Sequence, residues 1–144
     1  MPAGRRAVLL FSDGLDTSQG ASLASIAQSF DLEQAVLKAQ RKSVALYSFF
    51  WPTAGAENGN NIFLLAAQGA LQKLSDETGG RAFVQGTIAP VSYRPFFGEM
   101  LLALSRQFAL TYLSTNMDKG YHKVTVRSTN PDVKIDHPKG YYYK

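Results

Sequence analysis

Residues 7–11 (Ala-Val-Leu-Leu-Phe) are apolar without interruption, and Ser12-Asp13-Gly14 stops the run. An apolar run without polar alternation predicts a strand buried on both faces of a parallel sheet. Residues 17–30 are small and polar and read as a loop with one short helix at most. Asp31 then has the position of an N-cap, with Gln34 three residues on, as in a capping box. Leu32, Ala35, Val36 and Ala39 form the apolar stripe of that helix, and Lys38, Arg41 and Lys42 load its C-terminal end. Residues 43–50 predict a second buried strand, closed by Trp51-Pro52.

Residues 53–61 form a Gly/Asn-rich loop. Leu64, Leu65, Leu71 and Leu74 give residues 62–78 helical periodicity, with Gly79-Gly80 as the C-terminal stop. Residues 81–84 predict a third short strand, and Pro95 opens a helix over residues 96–107. The order β-α-β-α-β-α predicts an α/β fold with a parallel sheet and crossover helices. The pattern then changes. Residues 108–114 and 121–128 read as strands joined by the turn at 115–120, an antiparallel hairpin extending one edge of the sheet. Alternation of His122, Val124 and Val126 with Lys123, Thr125 and Arg127 suits a half-exposed strand, and Asn130-Pro131-Asp132 makes a further turn. The division expected is residues 1–107 for the α/β part and 108–144 for a tail packed on it.

A chain of 144 residues, 45% hydrophobic and 18% charged, is long enough to bury a real core and is not compositionally disordered. Its net charge of +4 comes mostly from the tail. Before Asn116 there are 9 basic and 8 acidic residues, and after it 6 and 3. That bias is far from the clustered Lys/Arg stripe of a nucleic-acid binder. The absence of cysteine excludes disulfides, thiolate metal sites and a Cys nucleophile. The apolar stretch after Arg5-Arg6 is too short for a signal peptide, and no run reaches the ~18–20 residues of a membrane span. Localisation stays open.

Residues 4–17 (GRRAVLLFSDGLDT), Leu74-Ser75-Asp76-Glu77-Thr78-Gly79-Gly80-Arg81-Ala82-Phe83, Phe108-Ala109-Leu110-Thr111-Tyr112, residues 119–126 (KGYHKVTV) and the terminal Gly140-Tyr141-Tyr142 occur in an order that resembles the von Willebrand factor type A domain. More narrowly, the chain is similar to the VWFA-related proteins of acidobacteria. The resemblance implies a partial doubly wound, type A-like sheet corresponding to the C-terminal portion of such a domain, because the chain opens where the family's fourth strand would. It also implies protein ligands whose acidic side chain completes a metal's coordination, in a family that is often exported.

The family's Asp-x-Ser-x-Ser loop is absent, and only Asp13 falls on a family ligand position. Asp16, in Asp16-Thr17-Ser18-Gln19-Gly20, is the nearest local substitute. Asp13 and Asp16, with Ser12 and Thr17, are candidate ligands for Mg²⁺ or Mn²⁺, an incomplete oxygen set for a hard cation. The alternative is that Ser12-Asp13-Gly14 simply caps a strand and turns the chain. His122 and His137 carry no metal-ligand spacing, and neither a nucleophile elbow nor a phosphate loop occurs. Tyr141, Tyr142 and Tyr143 read as an aromatic anchor over the sheet edge, with Phe49, Phe50 and Trp51 in the core or an interface. Lys119, Lys123, Arg127, Lys134 and Lys139 read as a solvated face.

The function expected is a non-enzymatic protein-binding or assembly module with an incomplete metal site. Its rival is a divalent-metal hydrolase or phosphotransferase using Asp13 and Asp16. Because the family's neighbour of the 7–11 strand is missing from this chain, that strand is expected to expose an unblunted edge. A homodimer is the expected cover, with the two strands antiparallel across a two-fold axis or the partner's tail laid over the edge.

Overall fold

A computed structural model describes residues 6–15, 29–52, 61–86 and 90–143. Three strands, β1 (Arg6–Ser12), β2 (Val44–Phe50) and β3 (Arg81–Phe83), form a parallel sheet in the order β1-β2-β3. Helices α1 (Phe30–Arg41), α2 (Asn61–Thr78) and α3 (Arg94–Ser105) alternate with them, so the mixed α/β class and the order of elements stand as expected. The expected loops at 17–28 and 53–60 lie outside the described residues.

The two faces of β2 divide the core. Ala45, Tyr47 and Phe49 point to one face, where Phe83, Met100, Phe96 and Leu104 cover them. Phe50 points to the other and packs on Leu64 and Leu71 of α2, with Leu10 and Val84 beside it. Thus α3 lies on one side of the sheet and α2 on the other. The same faces carry buried polar pairs. Ser75 donates its hydroxyl to Ser48 at 2.9 Å, both residues being fully buried. The Thr78 hydroxyl accepts the Leu46 N–H at 3.1 Å. It supplies the partner that β3, whose pairing with β2 starts at Tyr47↔Arg81, is too short to give.

Strand β1 departs from the expectation of burial on both faces. Val8, Leu9 and Phe11 are 45%, 43% and 47% exposed, because β1 stands at the edge of the sheet and α3 covers mainly β2. The central, buried strand is β2.

Helix α1 starts two residues earlier than the capping-box pattern predicts. Its N-cap is Ser29, whose hydroxyl accepts the Leu32 N–H at 3.4 Å, and Asp31 sits in the first turn. A serine and an aspartate two positions apart are both good caps, and only the hydrogen bond decides between them. Val36 is buried while Ala35 and Leu65 are exposed, so the packed stripes are narrower than the apolar positions suggested. Gly79 and Gly80 end α2 as expected. Gly79, at φ 72°, donates to Asp76 O and Gly80 donates to Ser75 O, the double bond pattern of a Schellman stop. Helix α3 carries Pro95 in its first turn and ends at Ser105 rather than Gln107.

The tail is where sequence and structure differ most. Residues 108–114 form no strand. The antiparallel pair is β4 (Gly120–Lys123) with β5 (Gly140–Tyr143), and it makes a separate two-stranded sheet instead of extending the parallel one. Cross-strand aromatic packing explains the choice of partner. His122 stacks on Tyr141 with centroids 5.1 Å apart, and Tyr121 meets Tyr142 at 5.6 Å. Gly140 lets the Tyr121 ring lie directly on the backbone, since a Cβ there would meet that ring. The alternation from Tyr121 to Ser128 survives as exposed and half-buried positions, and Val133 N–H bonds Asn130 O across the expected turn.

The tyrosines of this small sheet anchor on helix α1 rather than over the sheet edge, while the segment before β5 is held by α2 and by Arg81 of β3. The Arg41 guanidinium lies 4.6 Å above the Tyr142 ring, Lys139 N–H donates to Glu77 O, and Asp136 pairs with Arg81 at 2.6 Å. Of the tail cations expected on a solvated face, Lys119, Lys123, Arg127 and Lys134 are exposed, and Lys139 is half-buried.

Candidate functional site

In open α/β sheets, ligands bind at the carboxyl ends of the strands. The end of β1 is the turn Ser12-Asp13-Gly14. The Ser12 hydroxyl accepts the Gly14 N–H at 3.0 Å, and Asp13 Oδ1 accepts the Leu15 N–H at 3.1 Å. Each side chain thus folds back onto the backbone two residues ahead, an Asx-type turn. Gly14 is required twice over: its φ is 71°, and a Cβ would lie 2.4 Å from the Ala67 carbonyl oxygen of α2. Behind the turn is a cleft of about 160 Å³ lined mainly by Leu15, Leu32, Leu71 and Leu74, with Ser12 and Ser29 as polar members.

Asp16 and Thr17 lie outside the described residues. Among the described residues no three His, Asp or Glu side chains come together where they could hold a metal ion. A hard divalent cation takes several oxygen ligands. The described donors, Ser12 and Asp13 beside an apolar cleft, fall short of that set.

The carboxyl end of the sheet is instead aromatic. Phe11, Phe49 and Phe83 face one another across β1, β2 and β3, with centroids 4.7 and 4.9 Å apart and rings 13° and 20° from parallel. Tyr93 and Phe97 close over them from the start of α3. Trp51 stacks on Tyr93 at 5.4 Å and 4°, and remains 55% exposed. Phe49 and Phe50 are core, as expected, while Trp51 is a surface platform.

The Tyr93 hydroxyl donates to the Phe50 carbonyl at 2.9 Å, and burial raises its pKa above the ordinary 10.0. Burial, aided by the Glu77 charge, moves Tyr121 the same way. The folded state therefore keeps protons that the unfolded chain gives up. Stability is full below the unfolded value near pH 10 and falls as pH rises from there through the folded values. In urea melts from pH 8 to 11 the midpoint should drop above about pH 10, and less steeply in Tyr93→Phe; an unchanged slope in that variant would contradict the assignment.

The tail carries a second concavity, an open groove of about 490 Å³ lined by Tyr112, Ser114, Tyr121, His122 and Tyr141 among others. Ser114 Oγ and the Tyr141 hydroxyl share a hydrogen bond at 2.6 Å. His122 Nε2 lies 2.6 Å from the Asp118 carbonyl, so its bond goes to backbone and not to Ser114. Among the described residues no base is aimed at this serine. His137 takes the Val126 N–H on Nε2 at 3.2 Å and meets Pro138 O through Nδ1 at 2.8 Å, which fixes a proton on Nδ1. Both histidines serve the tail's own backbone.

One further feature escaped the sequence. Phe97 contacts Phe11 and Phe49 yet is 36% exposed, and Leu101, one turn on along the same flank of α3, is 62% exposed. With Leu9 and Phe11 they make an uncovered apolar flank along the sheet edge. The signal was present: α3 is apolar almost all round, through Phe96, Phe97, Met100, Leu101, Leu102 and Leu104. One face of a helix suffices to cover a sheet, so such a helix has apolar surface left for another partner.

No known protein family, curated protein or solved structure matches this chain. Among the described residues no helix is long and apolar enough to cross a membrane.

Proposed function

We propose that this chain is a non-enzymatic protein-binding or assembly module, of the kind a partial type A domain would make. The carrying observation is the exposed flank of Leu9, Phe11, Phe97 and Leu101 beside a strand edge that no described residue pairs with. Large exposed apolar surfaces of this kind mark interaction sites. The turn at Asp13 supports the same reading, because its carboxylate holds the Leu15 N–H and so has a structural task. The ordered resemblance to VWFA-related sequences agrees with protein ligands, with any Mg²⁺ or Mn²⁺ bound weakly.

The rival hydrolase or phosphotransferase is separated by titration. Calorimetry with Mg²⁺ and Mn²⁺ should show no micromolar site, and a panel of generic phosphoesters should not turn over. Asp13→Ala should lower stability by about 1 kcal/mol through loss of the Leu15 bond, and Asp13→Asn, which keeps an acceptor, should recover most of it. Micromolar metal binding that disappears in Asp13→Ala, or phosphoester turnover, would replace this reading with the metal-dependent enzyme.

A further inference from the structure

We infer that the open edge of β1 pairs with the β1 of a second copy, antiparallel and centred on Leu9, so that two three-stranded sheets become one continuous sheet. The inference rests on the assembly-module reading and names the partner.

The direction of the backbone groups gives the register. Trp51 N–H donates to Ser12 O, which places the carbonyl of Ser12 on the β2 side. N–H and C=O of one residue in a strand point the same way, and successive residues alternate. Ser12, Leu10 and Val8 therefore bond β2, while Ala7, Leu9 and Phe11 direct their N–H and C=O groups out of the sheet. Among the described residues nothing pairs with them.

A two-fold axis through Leu9 sets Leu9 opposite Leu9 and Ala7 opposite Phe11 on either side. In an antiparallel ladder such facing pairs exchange both of their hydrogen bonds. Every outward group of Ala7, Leu9 and Phe11 is then satisfied. The one charged residue of the strand, Arg6, falls opposite Ser12, so no like charges meet. The interface is isologous, as a closed dimer requires.

Side chains agree with the backbone. The axis keeps both α3 helices on one face, so the flanks carrying Phe97 and Leu101 come together above the Leu9 pair. The exposed parts of Val8, Leu9, Phe11, Phe97 and Leu101 amount to roughly 400 Å² of apolar surface per copy. That is close to the apolar share of a standard interface of about 800 Å² per partner.

The absence of cysteine makes the test clean. In the paired register the Cα atoms of the two residues 9 stand about 5.5 Å apart, within the range a disulfide spans. Light scattering of the wild-type chain should give twice the monomer mass. Mild oxidation of Leu9→Cys should give a covalent dimer, and Leu110→Cys, on the exposed segment after α3, should remain uncrosslinked. A wild-type monomer at high concentration would overturn the inference. Crosslinking through Leu110→Cys but not Leu9→Cys would overturn it as well, by showing that the partner's 108–114 segment covers the edge. A monomer that also lacks metal binding and phosphoester turnover would leave the binding-module reading standing, with a different protein on the edge.

Discussion

Gly80→Ala is expected to cost about 3 kcal/mol or more, a loss near the upper end for a single methyl group. The reason lies in how β3 enters the sheet. The Schellman stop of α2 turns the chain sharply, with Gly80 N–H bound to Ser75 O, and delivers it against the central strand with no intervening loop. A Cβ on Gly80 would stand 1.9 Å from the Leu46 carbonyl oxygen and 2.6 Å from its carbon. Both atoms are backbone of β2 and cannot rotate away. Relief requires β3 to retreat, which breaks its pairing with β2 and strips Leu46 N–H of the Thr78 hydroxyl. Against a total stability of about 5–15 kcal/mol this should lower Tm by roughly 10 °C or more. Gly69→Ala gives the internal comparison. Gly69 lies in the interior of α2 with nothing within 4 Å of its would-be Cβ, so that change should stabilise by about 0.5–1 kcal/mol. If both variants melt like the wild type, the close approach of β3 to β2 is wrong.

The parallel half of the fold was legible because its signals are local and redundant. Continuous apolar runs, Gly79-Gly80 and Pro95 each mark a boundary that no tertiary contact needs to supply. What local pattern cannot tell is a strand's place in the sheet. The run at 7–11 looks like a buried strand, yet its burial depends on a neighbour, and among the described residues β1 has one on only one side. The tail was misread for a related reason. Residues 108–114 have good strand composition, but strand pairing is a choice among partners, and the Tyr-rich β5 offers β4 better cross-strand contacts. The residues left over, among them Phe108 and Leu113 at 95% and 89% exposure, stay on the surface.

At the candidate site the sequence located the strand end and the turn, since Ser-Asp-Gly after an apolar run announces both. It gave no means of telling a ligand carboxylate from a turn-forming one, because Asp13 serves either role with the same spacing. The hydrogen bond to Leu15 gives Asp13 Oδ1 a part in the turn, and the Mg²⁺ and Mn²⁺ titration tests the other role. The apolar flank was hidden for the opposite reason. Nothing polar marks it: the all-round apolar α3 signals surplus surface, and which residues carry that surplus is decided only by the face α3 turns to β2.

Phe49→Ala should cost about 3–5 kcal/mol and loosen β1 more than β3. Phe49 has no exposed surface and lies between Phe11 and Phe83, one ring from each strand of the sheet, in register with both. Truncation removes its own buried area, leaves a cavity, and deletes two stacked contacts at once, each worth about 0.5–1.5 kcal/mol beyond area. The consequences differ on the two sides. Phe83 is 4% exposed and keeps Phe96 against it at 5.6 Å, whereas Phe11 is already 47% exposed and keeps only the more distant Tyr93 and Phe97 rings at 6.1 and 6.2 Å. Edge strand β1 thus loses its closest ring contact, and amide exchange should quicken at Val8, Leu10 and Ser12, whose N–H groups bond β2, before it does at Phe83. Phe11→Ala, starting from a half-exposed ring, should cost about half as much. An unfolding free energy from urea melts within about 1 kcal/mol of wild type for Phe49→Ala, or uniform exchange across the three strands, would show that the aromatic ladder does not carry the sheet.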